Sequence, residues 1–143
     1  MMDELSFSKY KGFWVLTSYE QTGDGLYLAA PPVRIIPHAD GENLKKALLE
    51  LLEEDAPVVP RRKLFDNPYG ELGLVPTVFG LKGPRTYLHR ARSFHLRRAE
   101  EHLSIEEWRR EKGAWVTNEP IWQKKFQRGE MGKLVKYLIK KTE

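Results

Sequence analysis

Imidazole titrates near neutral pH, so the four histidines, His38, His89, His95 and His102, are the side chains best suited to moving protons. His95 and His102 are spaced to face one another across a hairpin. Two imidazoles beside a lysine or arginine can cleave RNA by general acid–base chemistry. Two histidines on strand faces of a basic protein are also ordinary polar surface, and that reading is preferred. His89 and His95 lie among arginines that repel a cation, so no metal site is expected. Cysteine is absent, which excludes disulfides, thiolate metal sites and a cysteine nucleophile. Gly70-Glu71-Leu72-Gly73 matches neither a dinucleotide fingerprint nor a Walker loop, and His-Glu-x-x-His and Gly-x-Ser-x-Gly do not occur. The expectation is a non-enzyme without cofactor.

A second group of residues suits binding rather than catalysis. Trp108-Arg109-Arg110, Trp115, Trp122 and Lys124-Lys125-Phe126-Gln127-Arg128 set rings beside cations. Rings stack on bases and cations hold phosphates, as in single-strand binders. Tryptophan and arginine are equally the anchors of protein–protein interfaces. Trp108, Arg109, Arg110, Trp122, Lys124 and Lys125 are therefore the candidate partner-binding residues. In the competing reading the tryptophans are core and the cations solvated. The charge is unevenly placed: residues 1–70 hold 8 Lys/Arg against 11 Asp/Glu, and residues 71–143 hold 16 against 9. That asymmetry suits a protein or nucleic-acid partner.

The elements that must carry these residues are legible in part. Phe13–Tyr19 is aromatic and β-branched and reads as a strand. Gly23-Asp24-Gly25 turns the chain into a return strand at Leu26–Leu28. Pro31-Pro32 interrupts that strand, and Val33–Ile36 forms a third short one. Asp40 caps a helix over 41–54 whose Leu44, Ala47, Leu48, Leu51 and Leu52 recur at helical spacing. Residues 55–86 form a proline- and glycine-rich connector, with short strands near Leu74-Val75 and Thr77–Phe79. Ser93–Arg97 alternates as a half-buried strand does. Residues 99–111 fit two descriptions: a strand through Leu103 and Ile105, or a helix with Ser104 and Glu107 as a capping box. The strand is preferred. Ala114–Thr117 is a further strand. Trp122 and Phe126, spaced i, i+4, lead into a last helix over 129–141 with the stripe Met131, Leu134, Val135, Leu138 and Ile139.

The fold class is therefore α+β: one small domain over residues 1–143, with antiparallel strands packed against two amphipathic helices. Residues 13–54 and 93–141 suggest a pseudo-repeat of strands then helix. Leu48, Leu51, Leu134 and Leu138 are expected to be buried against the sheet. No apolar run approaches the ~20 residues that cross a bilayer, and the acidic start Met1-Met2-Asp3-Glu4 is unlike a secretory signal. A cytoplasmic location and no membrane partner are expected.

This order of pieces resembles a family of bacterial immunity proteins of contact-dependent growth inhibition systems. The matching stretches are Phe13–Tyr19, Val33–Pro37, Glu42–Glu54, Ser93–Leu96 and Gly129–Ile139. Gly129-Glu130-Met131-Gly132-Lys133-Leu134 is similar to the small-residue start of the family's last helix. The resemblance implies stoichiometric binding of a toxin domain, often a nuclease, and no catalytic residue. A nucleic-acid-binding module and a small histidine-dependent nuclease are the competing readings.

Overall fold

The computed structural model describes residues 2–23, 27–59, 78–81, 87, 90–111, 114–117 and 123–143. Its strands are β1 (Glu4–Tyr10), β2 (Phe13–Thr22), β3 (Tyr27–Pro37), β4 (Val58–Val59), β5 (Arg92–Ala99), β6 (His102–Glu111), β7 (Ala114–Thr117) and β8 (Gln123–Gln127). Its two long helices are α1 (Gly41–Glu53) and α2 (Met131–Lys141).

One sheet runs β3-β2-β1-β5-β6-β7, with β4 against β2 and β8 against β6. All its pairings are antiparallel except the short β2–β4 pair. Taken with β8, the order β3-β2-β1-β5-β6-β8 reads alike from either end. Each half is a three-strand antiparallel run followed by a helix, and the halves meet at the antiparallel β1–β5 pair. The strands-then-helix repeat is thus present, and it begins earlier than the sequence reading placed it. β1 completes the first half. Its Leu5 and Phe7 alternate with Glu4, Ser6 and Ser8, a period-two pattern that sends the apolar pair inward.

Both helices lie on the inner face. Leu44, Leu48, Leu51, Leu52, Leu134, Val135 and Leu138 join Leu5, Phe7, Trp14, Leu16, Phe94, Leu96, Leu103 and Ile105 in one buried cluster. The four leucines expected to be buried are all in it. Phe7, Trp14 and Phe94 meet ring against ring at 5.7–5.9 Å. Asp40 caps α1 by accepting from the Asn43 amide at 3.2 Å. α1 and α2 approach closely at Gly41, where a Cβ would sit 3.2 Å from Ile139 Cδ1. Arg98 locks the other end of α1. It donates to the carbonyls of Leu52 and Met2 and reaches Glu53 at 3.0 Å. A cation here also faces the negative end of the helix dipole, where α1 has no basic residue in its own last turn.

Several expectations are corrected. Tyr27–Pro37 is one continuous strand, not two. Pro31-Pro32 sits where the β2–β3 register shifts between Thr17 and Ser18, on a strand that ends the sheet's path and needs no second set of amide donors. Val78 is helical and Phe79-Gly80 a turn, so the described residues there form no strand; Leu74-Val75 and Thr77 lie outside the described residues. Gln123–Gln127 is strand β8, paired to β6, and not a lead into the last helix. Residues 102–111 are strand, as preferred.

Candidate functional site

The strand register sorts the candidate residues onto two faces. Leu96 opposite Ile105 and Phe94 opposite Glu107 define the inner face. His95 opposite Glu106, Arg97 opposite Ser104 and Ser93 opposite Trp108 define the outer one. In β8, Lys124 opposes Ile105 and Lys125 opposes Ser104, so neighbouring lysines point to opposite faces. Lys124 folds over the Tyr137 ring of α2 at 5.6 Å. Lys125 is exposed on the outer face. Trp108 is half-buried there, its indole N–H donating to Glu106 at 3.1 Å. The backbones of Arg109 and Arg110 pair with Val116 and Trp115. Trp122 and His89 lie outside the described residues.

His95 and His102 do share the outer face, yet they do not meet. His95 is opposite Glu106 and His102 opposite Ala99, four residues apart along the ladder, which is about 13 Å at the strand rise. The pair posited for acid–base cleavage is not assembled.

His95 instead belongs to a cluster on β1 and β5. Its Nδ1 lies 3.1 Å from Ser6 Oγ and its Nε2 lies 3.2 Å from Glu4 Oε2, while Trp108 meets its ring edge-on at 6.0 Å. Arg97 Nε reaches the same Glu4 oxygen at 3.4 Å. Serine, histidine and carboxylate stand in the order of a nucleophile relay. The Ser6 amide, however, donates to the Tyr19 hydroxyl at 3.0 Å, and that hydroxyl donates in turn to the Ser6 carbonyl at 2.9 Å. The backbone donor nearest the serine is thus committed and cannot receive an oxyanion. The phenol stands in for a strand neighbour: β1 and β2 hold register only over Ser8–Tyr10, and Tyr19 satisfies Ser6 where they part. The parting leaves a cleft of about 380 Å³ lined by Met2, Asp3, Glu4, Leu5, Ser6, Tyr19 and His95.

None of Glu4, Ser6 and Tyr19 was among the residues selected from sequence. The alternation of β1 would have put Glu4 and Ser6 on the polar face; nothing local predicts that Tyr19 spans the gap.

The fourth histidine is structural. His38 stacks on Trp14 at 5.5 Å and accepts the indole N–H at its carbonyl at 3.0 Å. Thr142 Oγ1 donates to the Leu138 carbonyl, so at 2.8 Å it accepts from His38 Nε2–H. Burial first, then the Lys9 charge, lowers the His38 pKa below its usual 6.5.

No protein-family model matches this chain, and no curated protein matches it. Solved structures do. A protein of unknown function from Neisseria meningitidis superposes with a TM-score of 0.69 at 16% identity, covering 93% of this chain and 90% of that one. A chain of the CdiA-CT/CdiI toxin and immunity complex from Yersinia pseudotuberculosis superposes with a TM-score of 0.63 at 13% identity, covering 93% and 92%. At such identities the likeness is one of fold. The fold is like that of an immunity protein of contact-dependent growth inhibition, the class that the order of elements resembles.

Proposed function

We propose that this chain is a toxin-neutralising immunity protein, acting as one domain in the cytoplasm, that binds a cognate toxin domain of the nuclease kind and blocks it. The observation that carries this reading is the fold match, over nearly the full length of both chains, to a chain from a toxin and immunity complex. The outer face is consistent with it. Glu4 and Glu106 alternate there with Arg97 and Lys125, a mixed pattern that suits a protein surface better than a phosphate backbone. Trp108 and Lys125 of that face, with Arg109 and Arg110 beyond them on β6, are the proposed contacts; Lys124, turned to the other face over Tyr137, is left out of the set, and Trp122 lies outside the described residues.

The test is co-expression. A candidate cognate toxin domain should arrest growth alone and cease to do so when this chain is present. The purified pair should form a 1:1 complex with the toxin's activity suppressed. If growth arrest persists at matched expression and no complex forms, the immunity reading fails. Generic RNA binding that weakens steeply with salt would favour the nucleic-acid module instead.

A further inference from the structure

We propose that the cleft between β1 and β2 is the anchor pocket of the outer face and accepts an arginine side chain of the partner protein. This rests on the immunity reading only for who the partner is. The argument for the pocket is independent of it.

The chain carries a net +4, yet the cleft reverses that sign. Among the described residues its lining includes Asp3 and Glu4 and no lysine or arginine. Glu4 is built to share. One oxygen, Oε2, already takes His95 and Arg97, while Oε1 takes no hydrogen bond among the described residues, and the side chain is 58% exposed. Arg97 holds the other oxygen and is not among the residues that line the cleft.

The walls are fixed in advance. Tyr19 is held at both Ser6 backbone groups, and His95 is held between Ser6 Oγ and Glu4 and braced by Trp108. Preorganised acceptors cost little ordering on binding. The acceptors are spread over Glu4, Ser6 and Asp3, which favours a planar fork of donors over a single ammonium point. At about 380 Å³ the cleft holds one long side chain, near the low end of ordinary ligand sites of ~300–1,000 Å³.

The experiment needs no toxin. Uniformly 15N-labelled full-length protein is titrated with N-acetyl-arginine methylamide and, separately, with N-acetyl-glutamate methylamide. The arginine probe should shift the amides of Asp3–Ser6, Tyr19 and His95 saturably, with a roughly millimolar Kd, as one side chain's contacts allow. The glutamate probe should leave them still. Glu4→Gln, at an exposed position, should keep the fold and weaken the arginine response about tenfold or more. Equal shifts from both probes, shifts elsewhere on the surface, or an unchanged response in Glu4→Gln would overturn the proposal. Failure here leaves toxin neutralisation standing; failure of growth protection alongside a positive titration removes the immunity reading and leaves the pocket.

Discussion

The two faces of the sheet obey different rules. On the inner face, alternating residues of five strands meet two helical stripes, and almost every large apolar side chain is excluded from water. On the outer face Glu4, Ser6, His95, Arg97, Ser104, Glu106 and Lys125 are half-buried or exposed; hydrogen bonds join Ser6, His95 and Glu4, and an ion pair adds Arg97. One pleat makes both, because successive side chains alternate. The inner face spends its residues on stability. The outer face buries Tyr10, Val15 and Tyr87 at one end and presents shape and charge over the rest, which is where binding specificity resides. Substitutions should therefore separate the two properties.

The largest effects belong inside. Leu48→Ala or Leu134→Ala should each destabilise by about 2–5 kcal/mol in urea unfolding, the usual cost of lost transfer energy plus an unfilled cavity. Both sites are fully buried. A loss below about 1 kcal/mol at both would mean the helix layer is not packed as described.

The Arg98 clamp comes next. Its side chain is only 9% exposed and serves two carbonyls besides Glu53. Arg98→Ala takes the side-chain donor from the Met2 carbonyl and one of two donors from the Leu52 carbonyl, which keeps the Met2 amide, so about 1–3 kcal/mol should be lost. Arg98→Lys should recover only part of it, since one ammonium cannot reproduce the fork. Recovery to the wild-type midpoint would show that charge alone matters.

A smaller effect concerns pH. The His38 pKa is lowered in the fold, so below 6.5 the unfolded chain takes up the proton first. Its contribution is present in full above 6.5 and fades as pH falls through that value toward the folded pKa. Denaturation midpoints measured from pH 7.5 to 5 should fall further for the wild type than for His38→Gln. Parallel curves would rule His38 out as the source of the slope.

The inner face was legible in the sequence and the outer face was not, for a physical reason. Burial leaves a period: Leu44 to Leu52 and Met131 to Ile139 announce both helices, and Phe13–Tyr19 announces a strand. β1 carries the same kind of signal in Leu5 and Phe7 and went unread because it is short. β8 has almost none, since Phe126 is its one apolar residue and Trp122 suggested a helical spacing instead. The cleft depends on Tyr19 reaching Ser6, 13 residues away, and on His95 reaching Glu4, 91 away. Such contacts are set by strand order, which no local pattern encodes. The cations chosen from the sequence do not share one face, for a simpler reason: Lys124 and Lys125 are adjacent in sequence, and adjacency in a strand means opposite faces.

That adjacency also supplies the sharpest test. Lys124→Glu and Lys125→Glu are the same charge change, one residue apart, on different faces. Both should alter stability by no more than about 0.5 kcal/mol, as surface substitutions do. Binding of the toxin domain by each variant, measured as Kd at low and at moderate salt, decides the central claim that the outer face is the interface. The account predicts that Lys125→Glu weakens binding about tenfold, mostly through slower association and most at low salt, while Lys124→Glu stays within about twofold of the wild type. The opposite ranking, or two folded variants that bind as tightly as the wild type, would contradict it.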